Sequence, residues 1–433
     1  MMNKLNIGLI GYGNVGAGVV KFILKRRAQI KEKFFVDLVL KIICDRRISE
    51  KNPKDLGKTL LTSNIDDVLN DPEVDVIIEL IGGLHPAKEL VLSALRKGKH
   101  VVTANKELIA HHGKELFQEV HASDRNIYFE TSVMAGVPLI KTIAEGLAGN
   151  QFNGLYGIIN GTCNYILTQM TQRDYSFQQA VAEAQQNGFA ERDPTLDING
   201  MDSAHKLAIL TYLAFGKFVN VKDIYTEGIT HINQDDIEHA ETLGLAIKLL
   251  AIAKRINNEI EIRVHPTLIS KEHPLASLNG VLNGVFIDTD PLGSILLSGK
   301  GAGQMIAASG VISDLINLAS RYGTKASQTL INLYQENPEI TIRKIDDISS
   351  KYYIRFMATD KPGTLAQITG ILGNHNIGIN SITQKAHNKV VAVPVIMLTE
   401  SAPERLVRLA LEEIYKLGIV KVKPVAIRME NLK

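Results

Sequence analysis

The apolar run 5–10 breaks into Gly11-Tyr12-Gly13-Asn14-Val15-Gly16, and an apolar-periodic segment, 15–24, follows at once. A G-x-G-x-x-G pattern set between a strand and a helix admits few folds. Its glycines make a tight turn, let the backbone approach a pyrophosphate, and leave that anion at a helix N-terminus. Glycine is common here, 34 of 433 residues, so the placement carries more of the argument than the pattern. Buried-type strands at 38–44, 74–80, 100–103 and 126–129, with a helical stretch at 86–97, continue the alternation. Such spacing implies βαβ units and a parallel, Rossmann-type sheet, and it makes residues 1–135 a dinucleotide-binding domain. Gly11, Tyr12, Gly13, Asn14, Val15 and Gly16 are the first cofactor-binding candidates.

From 136 the texture changes. Helical stretches at 139–147, 177–186, 203–215 and 235–252 mix with strand-like pieces at 155–159, 260–266 and 284–288, which predicts an α+β domain over 136–303. Ile306, Val311, Leu315 and Leu318 have helical spacing, and a helix over about 304–325 is expected to return to the first domain. Pro338 and a charged, mixed stretch mark 334–350 as a linker. Residues 351–433 read strand, helix, strand, strand, helix, strand. The catalytic part is therefore expected to fold without them, in a chain ending near Asp346.

Composition removes several classes. Lys plus Arg number 48 against 46 acids, a net charge of +2, so the strong basic footprint of a nucleic-acid-binding protein is missing. Two cysteines, Cys44 and Cys163, support no disulfide framework. No apolar run reaches the ~18 residues of a membrane span, and the opening residues lack a signal-peptide layout. A cytoplasmic protein that binds neither nucleic acid nor membrane is expected.

The second half of the nucleotide fingerprint points two ways. An acid about 20 residues beyond the glycines accepts a hydrogen bond from the ribose 2′-hydroxyl. Asp37 has that spacing but precedes its strand, whereas Asp45 ends it. Arg46 and Arg47 follow Asp45 directly, and a basic pair there suits a 2′-phosphate. NAD and NADP both stay open.

The densest chemistry lies in 187–206, where Glu191, Asp193, Asp197 and Asp202 crowd a short loop before a helix carrying Lys206. Asp202 and Lys206 are i, i+4 and share a helix face. Spacing alone favours an exposed ion pair worth ~0.2–0.5 kcal/mol. The alternative is a polar pocket for an amino acid's ammonium group, with the lysine as proton donor.

That segment, with Val102-Thr-Ala-Asn-Lys106, Glu130-Thr-Ser-Val-Met-Ala-Gly-Val-Pro138 and Gly157-Ile-Ile-Asn-Gly-Thr-Cys-Asn-Tyr-Ile166, closely resembles the homoserine dehydrogenase family. The resemblance runs the length of the chain. It leaves no room for the N-terminal aspartate kinase that some members carry, and so resembles the monofunctional form. It implies reversible reduction of L-aspartate 4-semialdehyde to L-homoserine with NADH or NADPH, in threonine, methionine and isoleucine biosynthesis. Lys206 then matches the proton donor and acceptor, and Asp197 an acid near the reacting centre. Glu191, Asp202 and the Gly188 backbone match the substrate pocket. Lys106 falls on the loop beside nicotinamide and substrate. Glu130, with the carbonyls of Val133, Ala135 and Val137, falls on a monovalent-cation site, usually sodium. Gly303 belongs to a glycine loop facing the cofactor, although Lys300 and Ile306 stand where prolines are common and Ala307 where threonine is frequent. Asp45 replaces a frequent basic residue, with Arg46 displaced by one.

The last unit, with Asp360-Lys-Pro-Gly363 and Asn376-Ile-Gly-Ile-Asn380, resembles an ACT domain of βαββαβ fold. Asp360, Gly363 and Asn380 become regulatory candidates, and pathway logic makes threonine the expected effector. A homodimer or homotetramer is implied. The competing readings are a reductase acting on another amino-acid semialdehyde, and an amino-acid sensor on an inactive dehydrogenase scaffold. His111-His112 with Glu115 reads as a polar helix end, because no H-E-x-x-H pattern or cysteine pair accompanies it. His205 lies about 100° around the helix from Lys206 and is assigned to packing. Cys163 reads as a small buried residue.

Overall fold

The computed structural model of the chain describes residues 3–51, 56–321, 336–384 and 392–432. The chain forms two compact units, each assembled from three stretches: Met1–Phe152, His205–Ile224 and Thr289–Glu339 in one, Asn153–Ala204, Tyr225–Asp288 and Ile340–Lys433 in the other. Their bounds cut across the three sequence-derived domains, because each unit recruits elements from distant parts of the chain.

In the first unit, β1 (Asn3–Ile10), β2 (Val36–Cys44), β3 (Leu60–Thr62), β4 (Val76–Glu79), β5 (His100–Thr103) and β6 (Ile127–Tyr128) pair in the order β3-β2-β1-β4-β5-β6. Every pairing is parallel. Leu5, Ile7 and Leu9 are fully buried, as are Val76, Ile77 and Ile78. Strands covered on both faces read as continuous apolar runs, which is why these were visible in the sequence. Strand order reverses between β1 and β4, where such sheets open a crevice at the strands' carboxyl ends.

The helix Asn14–Phe34 buries Val19, Val20 and Ile23 against this sheet, and Gln304–Arg321 joins the same core through Ala308, Val311, Leu315 and Leu318. Two side-chain amides tie that returning helix down: Gln304 donates to the Asn14 carbonyl at 3.0 Å and Asn3 to the Ala319 carbonyl at 2.9 Å. Residues 322–325 of the expected helix lie outside the described residues.

The second unit is organised on a mixed sheet. Its strands run in the order Leu282–Asp290, Gln151–Ile158, Leu245–Ile256, Glu259–Ser270, Val425–Met429, Ser349–Thr359, Ala392–Thr399 and Ile379–Gln384. The C-terminal elements follow β, α, β, β, α, β, with the helices Thr364–Asn374 and Glu404–Lys416 packed on a core that includes Ile354, Phe356, Leu372, Val395 and Ile414.

Three sequence expectations need correction. The stretch 235–252 is not one helix: Gln234–Thr242 is helical, and Leu245–Ile256 is a strand paired antiparallel with Glu259–Ser270. The described part of 334–350 is not a free tether. Thr341–Arg343 adds a parallel strand beside Glu259–Glu261, and Ile340 and Ile348 are buried. Nor does the C-terminal part form a sheet of its own, because Val425–Met429 lies between Ser349–Thr359 and Glu259–Ser270 in one sheet. Buried arginines reinforce that seam. Arg428 bonds Glu404 and also reaches Glu227 at 2.7 Å, Arg263 bonds Glu261 and Glu430, and Arg355 bonds Asp236 at 2.7 Å. Burial opposes charge on Glu227, but His231 and Arg428 outweigh it and hold its carboxyl far below the carboxylate range.

Candidate active site

The first unit contains a cleft of about 390 Å³ at the switch point, lined by Gly11, Gly13, Asp45, Arg46, Arg47 and Lys51 among others. Its glycines are there for steric reasons. Gly11 has φ +102°, and a Cβ on Gly16 would sit 2.1 Å from the Gly11 carbonyl oxygen. The helix Asn14–Phe34 has no side-chain cap and no acid in its first turn, so its leading N–H groups and partial positive charge stay available to an anion.

Asp45 follows β2 and lies beside the glycine loop. One carboxylate oxygen accepts from the Tyr12 amide at 2.8 Å and from Lys51 at 2.5 Å, and the other accepts from the Arg47 amide at 2.9 Å. Burial raises its pKa, but the Lys51 ammonium and the two amides prevail, and the carboxyl is held below its ordinary range. Asp45 thus braces the glycine loop.

The second loop of this unit is braced by a residue the sequence reading missed. Glu79, fully buried at the end of β4, accepts from the amides of Ile81 and Gly82 at 2.9 and 3.2 Å and from the Thr103 hydroxyl at 2.6 Å. Asn105 caps the helix Lys106–Ser123 by accepting from the Leu108 amide at 3.0 Å and donates to the Gly83 carbonyl at 2.7 Å. Lys106 is thereby fixed as the first residue of that helix, half-buried. The available signal was an acid closing the apolar run Val-Ile-Ile. Gly303 immediately precedes the helix Gln304–Arg321, whose Gln304 binds the Asn14 carbonyl.

Glu130 is buried beside a turn containing Val133, Ala135 and Val137. Its oxygens accept from the amides of Ile140 and Lys141 at 2.8 and 2.9 Å, and its own amide donates to Asp314 at 3.0 Å. Burial raises the Glu130 pKa despite those amides, and burial with Glu130 nearby drives Asp314 well above its ordinary value. A buried carboxylate with lone pairs to spare is a ligand type suited to a hard cation.

In the second unit, one amide gathers two of the candidate acids. Asn160 Nδ2 donates to Asp197 at 2.6 Å and to Asp202 at 2.8 Å, while its oxygen caps the helix Gly161–Arg173 through the Cys163 amide at 2.8 Å. Asn160 was also missed, although it stands inside a quoted motif. Cys163 is buried and its thiol donates to the Asp197 carbonyl, in keeping with a packing role. Asp202 is buried, Asp197 half-buried and Glu191 exposed. Gly188 is exposed in the turn after Phe177–Gln186, close in sequence to Phe189, whose carbonyl accepts from the Thr162 hydroxyl at 2.7 Å. Asp202 and Lys206 follow one another by a turn in the helix Met201–Phe215. Asp360, Gly363 and Asn380 are exposed, with Gly363 capping Thr364–Asn374 and Asn380 donating to Glu400 at 3.0 Å.

The chain resembles known proteins along its whole length. Residues 138–316 match the family described as homoserine dehydrogenase, residues 11–130 its NAD-binding domain, and residues 352–418 the ACT domain. The homoserine dehydrogenase of Pseudomonas aeruginosa is 40% identical over 436 residues, with both chains covered in full. The chain belongs to the homoserine dehydrogenase family. The crystal structure of a homoserine dehydrogenase from Thiobacillus denitrificans superposes with a TM-score of 0.92 at 38% identity, covering 100% of this chain and 99% of that one. A hyperthermophilic archaeal homoserine dehydrogenase, solved in complex with NADPH, matches with a TM-score of 0.63 at 27% identity over 74% of this chain and 99% of its own. The chain is accordingly an oxidoreductase with a nicotinamide-dinucleotide domain, a homoserine dehydrogenase catalytic region and an ACT domain. Among the described residues no helix is long and apolar enough to cross a membrane.

Proposed function

We propose that the chain catalyses the reversible, NAD(P)H-dependent interconversion of L-aspartate 4-semialdehyde and L-homoserine, in a cytoplasmic setting. The observation carrying this reading is the Asn160 amide, which holds Asp197 and Asp202 together. A reduced nicotinamide supplies a hydride when bound, and the aldehyde oxygen then gains negative charge. Lys206 stabilises that oxygen and delivers the proton. Asp202 and Glu191 bind the substrate's α-ammonium group by charge-assisted hydrogen bonds, and Asp197, held by the same Asn160, keeps the reacting end in a polar setting. Lys106 orients nicotinamide and substrate, and the Gly188 backbone closes the pocket. Glu130 and the carbonyls of Val133, Ala135 and Val137 hold a monovalent cation, sodium by chemistry.

For the cofactor we propose a preference for NADP. Asp45 is engaged by the Tyr12 amide and Lys51, so it is poorly placed to receive a ribose hydroxyl, while Arg46, Arg47 and Lys51 line the cleft. For regulation we propose that threonine acts through Asp360, Gly363 and Asn380 in a homodimer or homotetramer. The test is oxidation of NADPH and NADH with aspartate semialdehyde, with and without threonine. No oxidation of either cofactor refutes the activity, equal kcat/KM for both refutes the preference, and indifference to millimolar threonine refutes the effector.

A further inference from the structure

Two histidines left aside by the sequence reading meet in the first unit. His111, exposed on the helix Lys106–Ser123, and His205, 8% exposed on Met201–Phe215, bring their Nε2 atoms to 3.3 Å. The rings meet edge to face, with centroids 5.2 Å apart and planes at 65°. At that distance the two rings can share one N–H···N hydrogen bond. It also fits another arrangement. Two Zn–N bonds of about 2.0–2.1 Å at a tetrahedral angle place their nitrogens about 3.3–3.4 Å apart.

The surroundings agree with this. His111 lines an open cavity of about 330 Å³, so an ion and its waters can reach the pair. The other charged groups lining that cavity, Lys114 and Glu336, neutralise each other at 2.7 Å. Glu115 is held by Lys88 at 2.7 Å, and His112 packs towards His85, so the pair itself supplies the ligands. Among the described residues no group of three or more His, Cys, Asp and Glu forms a metal cage, which leaves a bis-histidine site with solvent in the other positions.

We infer that His111 and His205 form a binding site for a borderline-soft divalent cation of the zinc, nickel or copper class. Binding requires both rings neutral, with their protons on Nδ1 and both Nε2 lone pairs turned to the ion. The proton shared across the contact moves to Nδ1, and the ion clamps the helix that begins at Lys106 to the helix that carries Lys206.

The test uses metal-free, untagged, full-length protein, titrated with Zn²⁺ by calorimetry and with Co²⁺ by visible absorption. One equivalent is expected to bind, with cobalt bands displaced from those of the hexaaqua ion, and binding should weaken in acid as protons compete with the metal for the imidazoles. His111→Ala, an exposed position that should not disturb folding, is expected to lose at least about tenfold in affinity, and His112→Ala none. Absence of binding by the parent, unchanged affinity in His111→Ala, or an equal loss in His112→Ala overturns the assignment.

Discussion

Replacing Arg355 by methionine should destabilise the second unit by about 3–5 kcal/mol, the cost of leaving one partner of a buried ion pair unpaired. Arg355 donates to both oxygens of Asp236, at 2.7 and 3.1 Å, and Asp236 is 0% exposed. Methionine keeps most of the aliphatic stem, so the loss is chiefly electrostatic. The stranded carboxylate keeps the Tyr353 hydroxyl at 3.1 Å and the Asn233 amide at 3.0 Å. A second change, Asp236→Asn, removes the charge while retaining an oxygen that can accept from the Asn233 amide in the capping box. The double variant should therefore be more stable than Arg355→Met alone. The exposed Arg408–Asp346 bridge, with side chains 49% and 40% accessible, serves as the control, and Arg408→Ala should cost under about 1 kcal/mol. The chain has no tryptophan, so urea unfolding is best followed by far-ultraviolet circular dichroism, with hydrogen exchange in Gln234–Thr242 locating the effect. An Arg355→Met loss no larger than the control's, or a double variant less stable than the single one, refutes the reasoning.

Lys206→Met should lower turnover by ~10²–10⁴-fold with cofactor binding near normal, and a rate within about threefold of the parent would return Lys206 to a surface ion pair. Asn160→Ala, measured by steady-state kinetics, should raise KM for aspartate semialdehyde by at least about tenfold, since it frees two acids and uncaps a helix, and an unchanged KM would refute its role. His100 is buried with its Nδ1 accepting from the Asn126 amide at 3.1 Å, and burial, aided by Arg125, lowers its pKa to about 4. The unfolded chain therefore binds a proton between about pH 6.5 and 4 that the folded chain refuses, and stability should fall by about 3 kcal/mol as pH drops through that window. His100→Gln should flatten this part of the pH dependence of the urea midpoint. A chain ending near Asp346 strips Arg355, Arg428 and Glu430 from Asp236, Glu227 and Arg263, so it should aggregate or lose its cooperative unfolding transition rather than survive as an active core.

The parts legible in the sequence are those with a strong local signal. Continuous apolar runs gave β1, β2 and β4, and the glycine loop located the crevice. Leu245–Ile256 misled because its long apolar run suits a buried helix as well as a buried strand, and only pairing with Glu259–Ser270 decides between them. Thr341–Arg343 is three residues long, too short for any period to register. Among the site residues, charged side chains near motifs stood out, whereas their supports did not. Glu79, Asn105 and Asn160 act through hydrogen bonds to groups distant in sequence or to backbone, and residue type alone does not announce such bonds. Asp45 was legible by its position, whereas its bonds to the Tyr12 amide and Lys51 appear only once β1 and β2 lie side by side.

The interleaving of each unit from separated stretches bears on how the chain is made. A ribosome delivers residues in order, at about 5–20 per second. The helix Asn14–Phe34 emerges with Val19, Val20 and Ile23 ready to pack, yet part of their cover, Gln304–Arg321, follows only after the whole of 153–288 has been translated. Glu259–Ser270 waits likewise for Val425–Met429. Throughout that interval nascent chains on one messenger expose apolar helix faces and an open strand edge to their neighbours. Holding chaperones would find their targets on those two surfaces, and cells translating this message quickly would need more of them.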